Sequence, residues 1–66
     1  MASMIGKVND LECGQAFIFD NVQCRIEDFP TRTSVVLRNV NVQDGQWSSA
    51  KTSVRVFKQT AERVTG

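Results

Sequence analysis

The chain has no histidine and no tyrosine, and only one proline, one tryptophan and two cysteines. Each scarcity closes off a class of chemistry. Histidine is the usual general base near neutral pH and a common metal ligand. Without it, Cys13 and Cys24, eleven residues apart, are too few for a structural zinc site. Glu27 and Asp28 are adjacent, and neighbours on a strand point to opposite faces, so they do not converge as an acid–base pair. Ser48, Ser49 and Ser53 have no evident base to activate them, and no glycine-rich phosphate loop is present. The expectation is therefore a non-enzyme without catalytic residues, cofactor or metal.

Long apolar runs are missing too. Nothing approaches the roughly 18 residues that a membrane span needs, and no signal-peptide core stands near the start. A cytoplasmic location follows as the expectation, with both cysteines kept as free thiols. Cys24 alternates with Val22 and Ile26 and reads as a small core residue, whereas Cys13 lies in a turn-like stretch. Met1 to Ser3 read as an added leader before a native Met4, residues 4–58 as the domain and 59–66 as a tail.

What is present is an ordinary globular composition, 41 % hydrophobic and 23 % charged, in one domain of 66 residues. Chains this short bury only about 60 % of their unfolded surface, so a partner subunit often completes them. The net charge of +1 conceals a polarity. Residues 1–30 carry two bases against five acids, a net −3; residues 31–66 carry six against two, a net +4. A basic second half fits a polyanion-facing surface, and it equally fits solvated strand faces whose charges segregated.

Period-two alternation is the main structural signal. Met4 to Val8 is a weak extended segment, and Asn9-Asp10 with Gly14 brackets a turn that suits positive φ. "QAFIFDN" sets Phe17 and Phe19 on one face and Ile18 on the other, and Asp20-Asn21 forms a tight hairpin turn. "VQCRIED" then directs Val22, Cys24 and Ile26 inward. Phe29-Pro30 is expected to end that strand, since proline cannot donate to a ladder, with Pro30 to Thr33 as the following loop. In "SVVLRNVNV" Val35 and Leu37 share one register and Val40 and Val42 the other, which predicts a bulge near Arg38-Asn39 and a core role for all four. Asp44-Gly45 predicts a hairpin, "QWSSAK" and "TSVRVF" the returning strands, and the tail a short turn or frayed end. Five short strands with no long helix point to an all-β, strongly bent, SH3-like barrel.

The stretch "NDLECGQAFIFDNVQCRIEDF" resembles the opening hairpin of the SH3-like barrel at the N-terminus of elongation factor P and its relatives. The matching positions are Asp10, Leu11, Gly14, Phe17, Phe19, Asp20, Val22, Cys24 and Ile26, and "VVLRNVNVQDG" continues the match to about 35 residues. That family's basic, glycine-rich loop is replaced by "FPTRTS", and its further domains are absent, so the resemblance implies architecture and not the ribosomal role. The same stretch is similar to Sm-like barrels. Pro30 and Ser34 stand where that group places an aspartate and an RNA-contacting asparagine.

Two binding readings follow. Consecutive Val35-Val36 and Ile18 between phenylalanines require some apolar side chains to face away from a single core, which favours a protein partner or a homo-oligomer. The alternative is RNA or single-stranded DNA held by Arg25, Arg32, Arg38, Lys51 and Arg55, with Trp47 and Phe57 stacking on bases. The same Trp47 also reads as core or as a lid over an open end.

Overall fold

The computed structural model describes residues 6–64. Lys7–Val8 (β1) and Leu11–Glu12 (β2) form a small antiparallel ribbon. It turns on Asn9, whose φ of 56° is the left-handed conformation that asparagine tolerates. The remaining strands are Ala16–Phe19 (β3), Val22–Thr31 (β4), Ser34–Asn39 (β5), Ser49–Ser53 (β6) and Glu62–Arg63 (β7), with one helix, Val54–Thr60 (α1). They make one antiparallel sheet in the order β6-β5-β4-β3-β7. The small, mostly β architecture is as expected. Among the described residues no pairing joins β6 to β7, so the sheet stays open and does not close on itself.

The β3–β4 hairpin follows the sequence pattern. Asp20 and Asn21 adopt φ of 56° and 60°, the paired positive values of a turn that matches strand twist. Val22, Cys24 and Ile26 are buried while Gln23, Arg25 and Glu27 are exposed. Beyond Ile26 the expectation fails. β4 does not stop at Phe29-Pro30 but runs to Thr31. Ile26 pairs with Leu37, Asp28 with Val36 and Thr31 with Ser34, so β4 carries one extra residue in each interval. Two bulges absorb them, and Pro30 sits inside the second, where a missing N–H costs no ladder bond. The first bulge lets Phe29 turn inward only three residues after Ile26, and Phe29 is fully buried. The loop expected over Pro30 to Thr33 shrinks to the Arg32-Thr33 tip.

The register slip therefore belongs to β4, not to Arg38-Asn39. On β5 the alternation simply continues: Val35, Leu37 and Asn39 are all buried. Asn39 is accommodated because its side chain is satisfied. Nδ2 donates to the Trp47 carbonyl at 2.9 Å and to Gln46 Oε1 at 3.3 Å, and Oδ1 accepts from the Asn41 N–H at 3.0 Å. Val40 and Val42, expected in the core, are exposed on the loop that follows. Asp44-Gly45 does turn, with Gly45 at φ 82°, but within that long loop and not as a tight hairpin.

The segment "TSVRVF" is the largest correction. Only Ser53 and the residues before it are strand; Val54 onward is helix. Ser53 caps the helix, its Oγ accepting from the Val56 N–H at 3.1 Å. Val54 and Phe57, three apart, form the buried face, and Val56 points out. A seven-residue helix is held by packing and not by propensity. Of the tail, expected as a short turn or a frayed end, residues 59–64 are described, and they finish the helix and add a strand. α1 carries the chain from the β6 edge to the opposite edge, where β7 pairs Phe17 with Arg63 and Ile18 with Glu62. Phe57 anchors that crossing. It is fully buried, with ring centroids 4.8 Å from Phe17 and 5.9 Å from Phe19. Val8, Leu11, Ile26, Phe29, Val35 and Leu37 complete the core around it.

Candidate functional site

The seven residues expected on one binding surface divide among four places. Arg25 and Arg38 are direct cross-strand partners on β4 and β5, so both stand on the outer face of the sheet. The Arg25 guanidinium donates to the Gly14 carbonyl at 2.8 Å, which fixes its position across the neighbouring strand. Lys51 lies on the same face, opposite Val36, with half-buried Asp28 on the far side of that valine. Glu27 borders the same shallow hollow as Arg38, yet neither belongs to an ion pair among the described residues.

Arg32 and Arg55 meet at a second place. The Val54 N–H donates to the Thr33 carbonyl at 2.9 Å, tying the start of α1 to the β4–β5 hairpin tip. Arg32 from the tip and Arg55 and Lys58 from the helix then border one open groove of about 480 Å³. Lys58 was not expected in a site. Its spacing of three from Arg55 is a helical signal, hidden as long as this stretch reads as a strand. The tip is itself cross-braced: Thr31 Oγ1 lies 2.8 Å from Ser34 Oγ and accepts from the Thr33 N–H at 3.2 Å.

The two aromatic candidates leave the surface in different degrees. Phe57 cannot stack on a base, because it is the centre of the core. Trp47 is half-buried at the end of the sheet, edge-on to Phe19 with centroids 6.5 Å apart, which matches a lid more closely than a platform. Asp10, in the β1–β2 turn, gathers two C-terminal cations. Its carboxylate accepts from Arg63 at 2.9 Å and lies 3.8 Å from Lys58.

Both cysteines are free thiols, Cys13 exposed and Cys24 buried. Desolvation pushes the Cys24 thiol above its ordinary range, against a smaller pull from the Phe19 backbone. Desolvation, then the carboxylates of Asp28 and Glu12, push Cys13 the same way. Neither is thereby primed as a nucleophile. No described helix is long and apolar enough to cross a membrane. Of the larger apolar side chains, Ile18, Val40, Val42, Val56 and Val64 remain exposed. Comparison with known proteins returns no matching family model, no matching curated protein and no matching solved structure.

Proposed function

We propose that this chain is a non-catalytic binding module, a small SH3-like barrel in its curled form, that works through protein–protein contact and self-assembly. Two bulges in β4 and the helix that links the sheet edges supply the bending such a barrel needs. The observation that carries the function is the pair of one-sided edges: among the described residues β6 pairs only with β5, and β7 only with β3. Unpaired edges are templates for another strand. The two edges differ, so self-association joins β6 of one copy to β7 of the next, head to tail. With Lys51 opposite Glu62, both on outer-face positions, the contact gains an opposite-charge cross-strand pair, and it sets exposed Val64 beside Ser49. A cytoplasmic site of action fits the two free cysteines.

Sedimentation across a wide concentration range is expected to show species heavier than the monomer. Lys51→Glu weakens them, and combining it with Glu62→Lys restores them. A strict monomer at every concentration removes the self-assembly form of the proposal.

The second reading, single-stranded nucleic acid on the outer face, is favoured by the Arg25–Arg38 pair. Like charges directly opposite are unfavourable, and an anion lying across both relieves them. Anisotropy of a labelled oligonucleotide separates the readings: binding at low salt that fades as salt rises supports this one, and none at low salt ends it.

A further inference from the structure

Three cations of the described chain border a groove at the end of β6, clear of the outer face of the sheet. Arg32 and Arg55 have no acidic partner among the described residues. Lys58 has only Asp10, at 3.8 Å, and Asp10 is already held closer by Arg63. The two arginines therefore bring unneutralised positive charge to the groove, while the Lys58 ammonium is held toward Asp10 at its border. The framework is braced on both sides, by the Val54–Thr33 backbone bond and by the Ser53 cap of α1.

We propose that this groove, between the β4–β5 tip and α1, binds the phosphate of a nucleotide. Two arginines bordering one cleft suit phosphate oxygens, since each guanidinium offers a planar fork of donors. The volume of about 480 Å³ exceeds what a bare phosphate fills and falls in the range of sites for small organic ligands. Val54 lines the groove as well, and Arg55 and Lys58 carry aliphatic stems, so an organic body gains apolar contact beside the charge. Asn9, Thr33 and Ser53 border the same space and offer the amide and hydroxyl groups that a sugar or base edge requires. Guanidinium planes also stack on bases, so the absence of a surface aromatic ring at this place is no obstacle. The proposal stands apart from edge-mediated association, since Lys51 and Glu62 take no part. It differs from the outer-face reading as well, since Arg25 and Arg38 take no part.

The test is a low-salt titration of isotope-labelled protein followed by amide NMR. The probes are adenosine 5′-monophosphate, adenosine, inorganic phosphate and a short oligothymidylate. The expected result is saturable shifts at Arg32, Thr33 and Ser53 to Lys58 with the monophosphate, and weaker ones with phosphate or adenosine alone. Arg32→Ala with Arg55→Ala lowers that affinity by about tenfold or more. Arg32→Lys, which keeps the charge and loses the fork, is a milder second variant should the alanine pair fail to fold. Lys7→Glu, an equal change of charge at an exposed residue of β1, leaves the groove shifts in place. Oligothymidylate binding the groove about tenfold more tightly than the monophosphate identifies a nucleic-acid chain as the source, and equal affinity identifies a free nucleotide. Adenosine binding as well as its monophosphate overturns the proposal. So does equal weakening by Lys7→Glu and by the groove arginine pair, which marks diffuse attraction, and so does a folded protein without shifts at these amides.

Discussion

The β3–β5 meander and the segment from Val40 to Val64 are held by different means. In the meander each strand is paired on both sides and buries its inward residues in series: Phe17, then Cys24, Ile26 and Phe29, then Val35 and Leu37. Loss of any one contact leaves several others along the same ladder. The later segment rests on fewer anchors. The buried amide of Asn39 ties the loop together; Val54 and the Phe57 ring dock the helix; one carboxylate, Asp10, gathers two cations near the C-terminus. A region built this way is rigid while its anchors stand and loses order in whole pieces when one is removed. The proposed groove and both sheet edges draw on this later segment.

The contrast is broken most severely at Phe57. Phe57→Ala removes a fully buried ring that touches two others, and it is expected to cost about 3–5 kcal/mol. That is a large share of the stability of so short a chain. Chemical denaturation checks it. A loss below about 1 kcal/mol would show that α1 is dispensable to the core. Asn39→Ala comes next. It leaves the Trp47 carbonyl and the Asn41 N–H without their side-chain partner, at a cost of about 1–3 kcal/mol. Faster amide exchange is expected in residues 40–48 and not in the β3–β4 hairpin, and a change spread equally over both would erase the proposed difference. Ser53→Ala removes only the helix cap, for about 1 kcal/mol, with its effect confined to the first turn of α1.

The two regions also differ in how openly the sequence announces them. Alternation from Phe17 to Ile26 names its own inward face, and Asp20-Asn21 and Gly14 declare the backbone they adopt. Legibility ends where a residue is added to a strand. A bulge shifts Phe29 inward without any change of residue type, so Phe29-Pro30 reads as a strand end and the slip is assigned to the wrong partner. Val40 and Val42 read as core because valine usually is, while the residue that does continue the buried row is an asparagine whose partners lie seven and eight positions away. "VRVF" is rich in β-formers, and its helical state depends on a cap and on a core position for Phe57 that only the folded sheet supplies. The candidate site suffers the same limit. Arg25 and Arg38 face each other because they lie on the well-announced strands. Arg32, Arg55 and Lys58 converge only because the Val54–Thr33 bond brings helix and tip together.

Asp10 provides the gentlest probe of the contrast. Its carboxylate is exposed, and so are Lys58 and Arg63, so solvent and salt weaken both ion pairs. Asp10→Asn is therefore expected to cost between zero and about 1 kcal/mol, less at high salt than at low, with the overall fold unchanged. The consequence is different at the two ends of the carboxylate. Arg63 also lies over the Phe17 ring at 6.0 Å and takes part in β7, so it keeps its place by packing and pairing. Lys58 has no second partner among the described residues, so the substitution leaves the ammonium free to turn toward the groove. Asp10→Asn is thus expected to lower stability slightly while strengthening nucleotide binding there. The two measurements run in opposite directions only if the groove is an anion site. Stability and binding falling together would mean that Asp10 shapes the groove, and not that it competes for its charge.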